Sequence, residues 1–116
     1  MQKRPFEKQL IPRWNLTSWN LLQLAEKFTT GKEKIYLCKT PFVNTVLVHL
    51  DSTTEIPPHY EDHHTLFYII EGTGTIQIGQ EQIPVNQGML VYSPKEKLRG
   101  ISSENYLLIL GIQEPH

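Results

Sequence analysis

The chain has 116 residues and 13.5 kDa, 39% of them hydrophobic and 20% charged, values that fit one globular domain and exclude a disordered chain. Eleven Lys and Arg against twelve Asp and Glu leave a formal charge of -1, without the basic excess that phosphate backbones require, so nucleic acid is not an expected partner. The longest apolar runs, Leu66 to Ile70 and Tyr106 to Leu110, hold five residues each, far below the roughly eighteen of a membrane span. The lone Cys38 and the polar start Met1-Gln2-Lys3-Arg4-Pro5 predict a protein without disulfide or signal peptide, with the cytoplasm as the expected compartment.

Residues 1 to 17 are polar, carry Pro5 and Pro12 and show no sustained period, so they read as an arm whose Phe6 and Trp14 dock elsewhere. From Ser18 to Phe28 the residues Leu21, Ala25 and Phe28 recur at three to four positions, which predicts a short amphipathic helix. Asn20 with Gln23 offers a capping box, Ser18 a rival cap, and Gly31 a left-handed stop. Residues 1–33 thus form an arm and helix packed on a body of residues 34–116.

The body reads as all-β. Strand-like runs are Lys34 to Thr40, Val43 to Leu50, Leu66 to Glu71, Thr75 to Ile78, Gln82 to Val85, Met89 to Ser93 and Asn105 to Ile112, and their spacing predicts a sandwich or closed barrel. Gly72-Thr73-Gly74 is expected to be a tight turn between two strands. Leu66-Phe67-Tyr68-Ile69-Ile70 is apolar on both faces, which calls for cover on both sides, by the core and by a second layer or subunit.

Chemistry concentrates in Pro57-Pro58-His59-Tyr60-Glu61-Asp62-His63-His64-Thr65, which holds three of the five histidines and two carboxylates. Imidazole and carboxylate suit borderline divalent metals, and the alternation of His59 and Glu61 puts both on one face of a strand.

From His59 onward the chain resembles the cupin family, whose motifs read G-x5-H-x-H-x(3,4)-E-x6-G and G-x5-P-x-G-x2-H-x3-N. His59, Glu61, Thr65 and Gly72 fall at the spacing of the first motif's two His, Glu and final Gly, and Gly88, Pro94 and Arg99 at the second motif's Gly, Pro and His. The resemblance covers about Val43 to Ile112 and implies a jelly-roll barrel, a double-stranded β-helix. Family members that bind iron, manganese, nickel or zinc hold the ion with three His and one Glu from these positions. Here only His59 keeps its letter: the other positions carry Glu61, Thr65 and Arg99, the opening Gly is Thr53, and the second motif's inner Gly and final Asn are Glu96 and Ser103.

Two function classes follow. One is a binding module in which His59, Glu61, Thr65 and Arg99, with Tyr92 and His49 beside them, receive a small, anionic ligand in the barrel mouth; in the empty barrel Arg99 is expected to pair with Glu61. The other is a metal-dependent dioxygenase, isomerase or decarboxylase acting on a small acid or sugar, with zinc, nickel, manganese or iron on His59, Glu61 and either His63 or His64. Small cupins commonly form homodimers, so the resemblance also implies a second copy as partner.

Overall fold

The structure is a computed structural model that describes residues 17–28 and 31–116. The expected docking of Phe6 and Trp14 lies outside these residues. The helix α1 spans Leu21–Ala25, shorter than the predicted Ser18 to Phe28. Asn20 is its cap, its side chain accepting from Gln23 N at 2.9 Å, and Gly31 takes the left-handed φ of 80° beyond it. One and a half turns have too few internal hydrogen bonds to stand alone. What holds α1 is its packing: Trp19, Leu21, Leu24, Ala25 and Phe28 lie against a cluster of Ile35, Leu37, Leu47 and Leu108 on the outside of the sheet.

Seven strands follow: β1 (Glu33–Lys39), β2 (Asn44–Asp51), β3 (Glu55–Tyr60), β4 (Thr65–Ile78), β5 (Glu81–Asn86), β6 (Leu90–Ser93) and β7 (Leu98–Gln113). All pairings are antiparallel, in the order β1-β2-β7-β4-β5, with β3 on β7 and β6 on β4. The long strands β4 and β7 pair along most of their length and bend together, so the sheet curls around an inner core of Val46, Val48, Leu50, Phe67, Ile69, Ile76, Ile101, Leu107 and Ile109. Alternation along β2 explains the two layers: Val46, Val48 and Leu50 point inward while Leu47 points outward beneath α1.

Two sequence expectations are corrected. Gly72-Thr73-Gly74 is no turn, because β4 runs through it with irregular register at Ile69/Glu71 and Thr73/Gly74. The glycines serve close approach instead: a Cβ on Gly72 would collide with the Tyr106 carbonyl oxygen, and one on Gly74 with that of Ser102, so only glycine lets β4 bend against β7. The second correction is β3, which is absent from the strand-like runs of the sequence although His59 and Glu61 are read there as alternating on a strand. Pro57 and Pro58 donate no backbone hydrogen bond, and the β3–β7 register shifts across them between Ile56 and His59. Prolines are tolerated there because β3 has a single neighbouring strand.

The outer face of β4 and β6 stays uncovered among the described residues. Leu66 stands opposite Tyr92 and Tyr68 opposite Leu90, and all four are exposed, as is Phe42.

Candidate functional site

The inward faces of β1, β2, β3, β4 and β7 enclose a cavity of about 110 Å³ at one end of the barrel. Val46, Val48, Ile56, Phe67 and Ile101 form its apolar wall, and Lys34, His59, Glu61, His63, Arg99, Gln113 and His116 its polar one. β1 contributes Lys34 and Tyr36 because Ile35 and Leu37, alternating with them, are drawn to the outer cluster under α1.

His59 and Glu61 come together as their spacing predicts. His59 Nε2 lies 2.5 Å from Glu61 Oε2, and its Nδ1 donates to the Pro57 carbonyl at 2.9 Å. The other Glu61 oxygen is 3.6 Å from His63 Nδ1. The carboxylate is thus flanked by two imidazoles. The expected Arg99–Glu61 pair is replaced by another arrangement.

Arg99 is 4% exposed. Its Nη1 donates to Thr65 Oγ1 at 2.8 Å, and its Nη2 to the His63 carbonyl at 2.7 Å and the Pro94 carbonyl at 3.5 Å. These acceptors lie at and just before the start of β4 and in the β6–β7 connection, so the guanidinium ties separate segments together at the barrel mouth. Its Cζ stands 6.0 Å from the Phe67 ring centre, within reach of a cation–π attraction. Burial lowers the Arg99 pKa from its ordinary value, with the Glu61 charge opposing that shift; a guanidinium keeps its proton regardless. Its Nε–H is buried without an acceptor among the described residues.

His63 is equally buried, and neither ring nitrogen has a hydrogen-bond partner among the described residues. Burial pushes its pKa down, reinforced by His116 and Arg99 and opposed by Glu61 and Asp62. Its ring stacks on His116 with centres 3.8 Å apart and planes 4° apart. The segment carrying His116 is anchored beside it: Glu114 N donates to the His64 carbonyl at 3.1 Å, and Glu114 Oε1 accepts from His64 N at 2.6 Å.

The other predicted site residues lie elsewhere. His64 Nδ1 is 2.7 Å from the Tyr92 hydroxyl, and both side chains border an outer groove with Phe42, Leu66 and Ile112. They leave the cavity because β6 alternates, sending Val91 inward and Tyr92 outward. His49 sits on the outward face of β2, between Phe28 at 5.1 Å and Tyr106 at 5.4 Å. Thr65 touches the site through Arg99. Lys34, Gln113 and His116 were missed by sequence reading: each stands outside the motif region, and only strand pairing brings it to the cavity.

The donor set differs from that of the metal centre which the resemblance implies. Of the four ligand positions, two hold Thr65 and Arg99, hydrogen-bonded to each other, and a guanidinium has no lone pair for a metal. Among the described residues no group of three or more His, Cys, Asp or Glu side chains is placed to hold a metal ion. The residues do not fit the four-ligand ion.

Comparison with known proteins places the architecture. Residues 46–104, just over half of the chain, match the cupin domain. The fold is similar to TT1209 from Thermus thermophilus, with a TM-score of 0.78 at 20% identity over 86% of this chain and 98% of that one. It is also similar to an RmlC-like cupin with a double-stranded β-helix fold from Methanocaldococcus jannaschii, with a TM-score of 0.68 at 25% identity, covering 78% and 85%. KdgF from a Halomonas species gives 0.69 at 20% identity, covering 74% and 80%. No curated protein matches the chain. No helix among the described residues is long and apolar enough to cross a membrane.

Proposed function

Since the chain belongs to the cupin domain family, we propose that it binds a small anionic molecule in its barrel cavity, with Arg99 supplying the positive charge that metal-binding relatives obtain from an ion. One observation carries this reading: the Arg99–Thr65 hydrogen bond at 2.8 Å joins two of the four metal-ligand positions. A buried guanidinium held in place by Thr65 and two carbonyls presents a fixed, weakly screened positive charge that attracts an anion. The charges on the cavity wall agree. Among the lining side chains Lys34 and Arg99 outnumber Glu61 by one, histidines counted neutral, and of the two cations Arg99 is the buried one. The reading is of binding, and no reaction step is assigned.

The test is a thermal-shift series on protein purified without an affinity tag, with phosphate, sulfate and small carboxylates in one arm and zinc, nickel, manganese and iron(II) in the other. A ligand of the native state raises the melting temperature, so at least one anion is expected to raise it and the metals to leave it unchanged. Stoichiometric metal in the purified protein by mass spectrometry, or a shift with metals alone, would overturn the reading in favour of the metal-dependent enzyme.

A further inference from the structure

His63 belongs to the cavity wall and is 4% exposed. Both of its ring nitrogens are buried out of reach of a molecule in the cavity, so what His63 has to offer there is the flat face of its ring. That face is taken. His116 lies on it with ring centres 3.8 Å apart and planes 4° apart. Little else holds His116 in place: it is itself exposed, and its one side-chain hydrogen bond among the described residues, from Nδ1 to the Glu114 carbonyl at 3.1 Å, stays within its own segment. Glu114 is the anchor, bonded twice to His64, and Pro115 between the two has no N–H with which to fasten the segment further. An exposed ring on a short tether thus closes over a buried one at the edge of the cavity.

We propose that the place of His116 is the ligand's place: the anion this cavity takes carries a flat aromatic ring, which displaces His116 and stacks on His63. The inference rests on the anion-binding reading above for the acid group and on the His63–His116 stack for the ring. Parallel rings at this separation attract through their faces, a contact that a puckered group of the same size makes less well. His116 then acts as an internal competitor. Its tether keeps the imidazole close at hand, so an outside ring binds only by the surplus of its affinity over the internal one. An aromatic acid has that surplus in its charge, which the positive mouth attracts; a neutral ring lacks it. With His116 lifted away, the face of His63 adds to the apolar wall of Val46, Phe67 and Ile101.

Proton NMR of the histidine rings in the full chain tests this at about pH 8, above the usual histidine range. In His116→Ala the His63 ring protons are expected to lose the shielding of the stacked ring, and added imidazole to restore it in a saturable way. His116→Phe keeps a flat ring in place and should take up no imidazole, which separates a filled seat from a damaged fold. In the wild type, benzoate should move the His116 ring protons to their unstacked positions in step with saturation. Benzoate is expected to bind His116→Ala about tenfold tighter than wild type, the competitor being gone, and cyclohexanecarboxylate, similar in size but puckered, to bind either protein about tenfold more weakly than benzoate does. Equal affinity for the two acids, no response of His63 to imidazole in the alanine variant, or a His116 still stacked at benzoate saturation would overturn the proposal. Binding of phosphate or sulfate with no aromatic acid bound would overturn it while leaving the anion reading in place. Benzamide binding as tightly as benzoate would remove the anion reading and the acid group with it, and failure of every anion would remove both inferences.

Discussion

Arg99 and Thr65, thirty-four residues apart, are joined by a hydrogen bond of 2.8 Å inside the barrel. Thr65 is 1% exposed and Arg99 4%, so neither partner can turn to water for an alternative. A buried donor left unmade costs more than the bond contributes.

Thr65→Val, which keeps shape and removes the acceptor, is therefore expected to destabilise the protein by about 2 kcal/mol, and Thr65→Ser to recover most of that loss. Urea denaturation checks it through a lower midpoint at unchanged slope. Equal stability of the Val variant would mean that the guanidinium finds another acceptor.

Glu96 occupies a position where the family motif has glycine, and its φ is 65°. A side chain in the left-handed region costs roughly 1 kcal/mol relative to glycine. The position is held because Glu96 N donates to the Glu61 carbonyl at 2.7 Å, which pins the β6–β7 connection to the end of β3. Glu96→Gly should raise stability by about 0.5 to 1 kcal/mol, the relief of strain being partly offset by the greater freedom of the unfolded chain. A rise in the denaturation midpoint is the readout, and a fall would show that the side chain itself contributes.

Asp51 accepts from the Thr53 hydroxyl at 2.7 Å, from Gly31 N at 2.6 Å and from Thr53 N at 2.9 Å. These bonds, that of the Thr53 hydroxyl foremost, hold its carboxyl at about 2 against an ordinary 3.8. The folded state thus favours the ionised form. Its contribution is fully present above pH 3.8 and is lost as pH falls through 2. Asp51→Asn should be less stable than wild type near neutral pH, with the gap closing between about pH 4 and 2. Thermal melts across that window check it; a gap independent of pH would assign the effect to geometry alone.

We propose the exposed Leu66–Tyr92 and Tyr68–Leu90 face as the contact of the expected homodimer, since exposed apolar patches mark interaction surfaces. Light scattering at micromolar concentration should give twice the chain mass, and Tyr68→Lys should return it to one. A monomer in the wild type would remove the expectation.

Much of this was legible in the sequence because it is local. Strand alternation, the Asn20 cap and the His59–Glu61 neighbourhood depend on residues a few positions apart. The path of β4 was misread at Gly72-Thr73-Gly74 because glycine permits both a turn and a close strand crossing, and the carbonyls of Ser102 and Tyr106 decide between them. β3 was missed because Pro57-Pro58 has the composition of a loop. Motif spacing placed Arg99 near the cluster but with the wrong partner, since opposite charge suggested Glu61 while the structure offers Thr65 Oγ1 and two carbonyls. His116 and Gln113 carried no local signal at all.

β7 begins near the cavity with Arg99 and returns to it with Gln113, after pairing with β2, β3 and β4 on the way. A chain in which this strand has yet to pair therefore has no complete pocket. Until β7 pairs, β2 and β4 lack the neighbour that joins them, and inward residues such as Leu50 and Ile69 have no closed core to enter. Before β7 pairs, the edges of β2 and β4 lie open to pairing with other chains. The cavity wall and the closure of the open sheet edges consequently arrive together, with the same stretch of polypeptide.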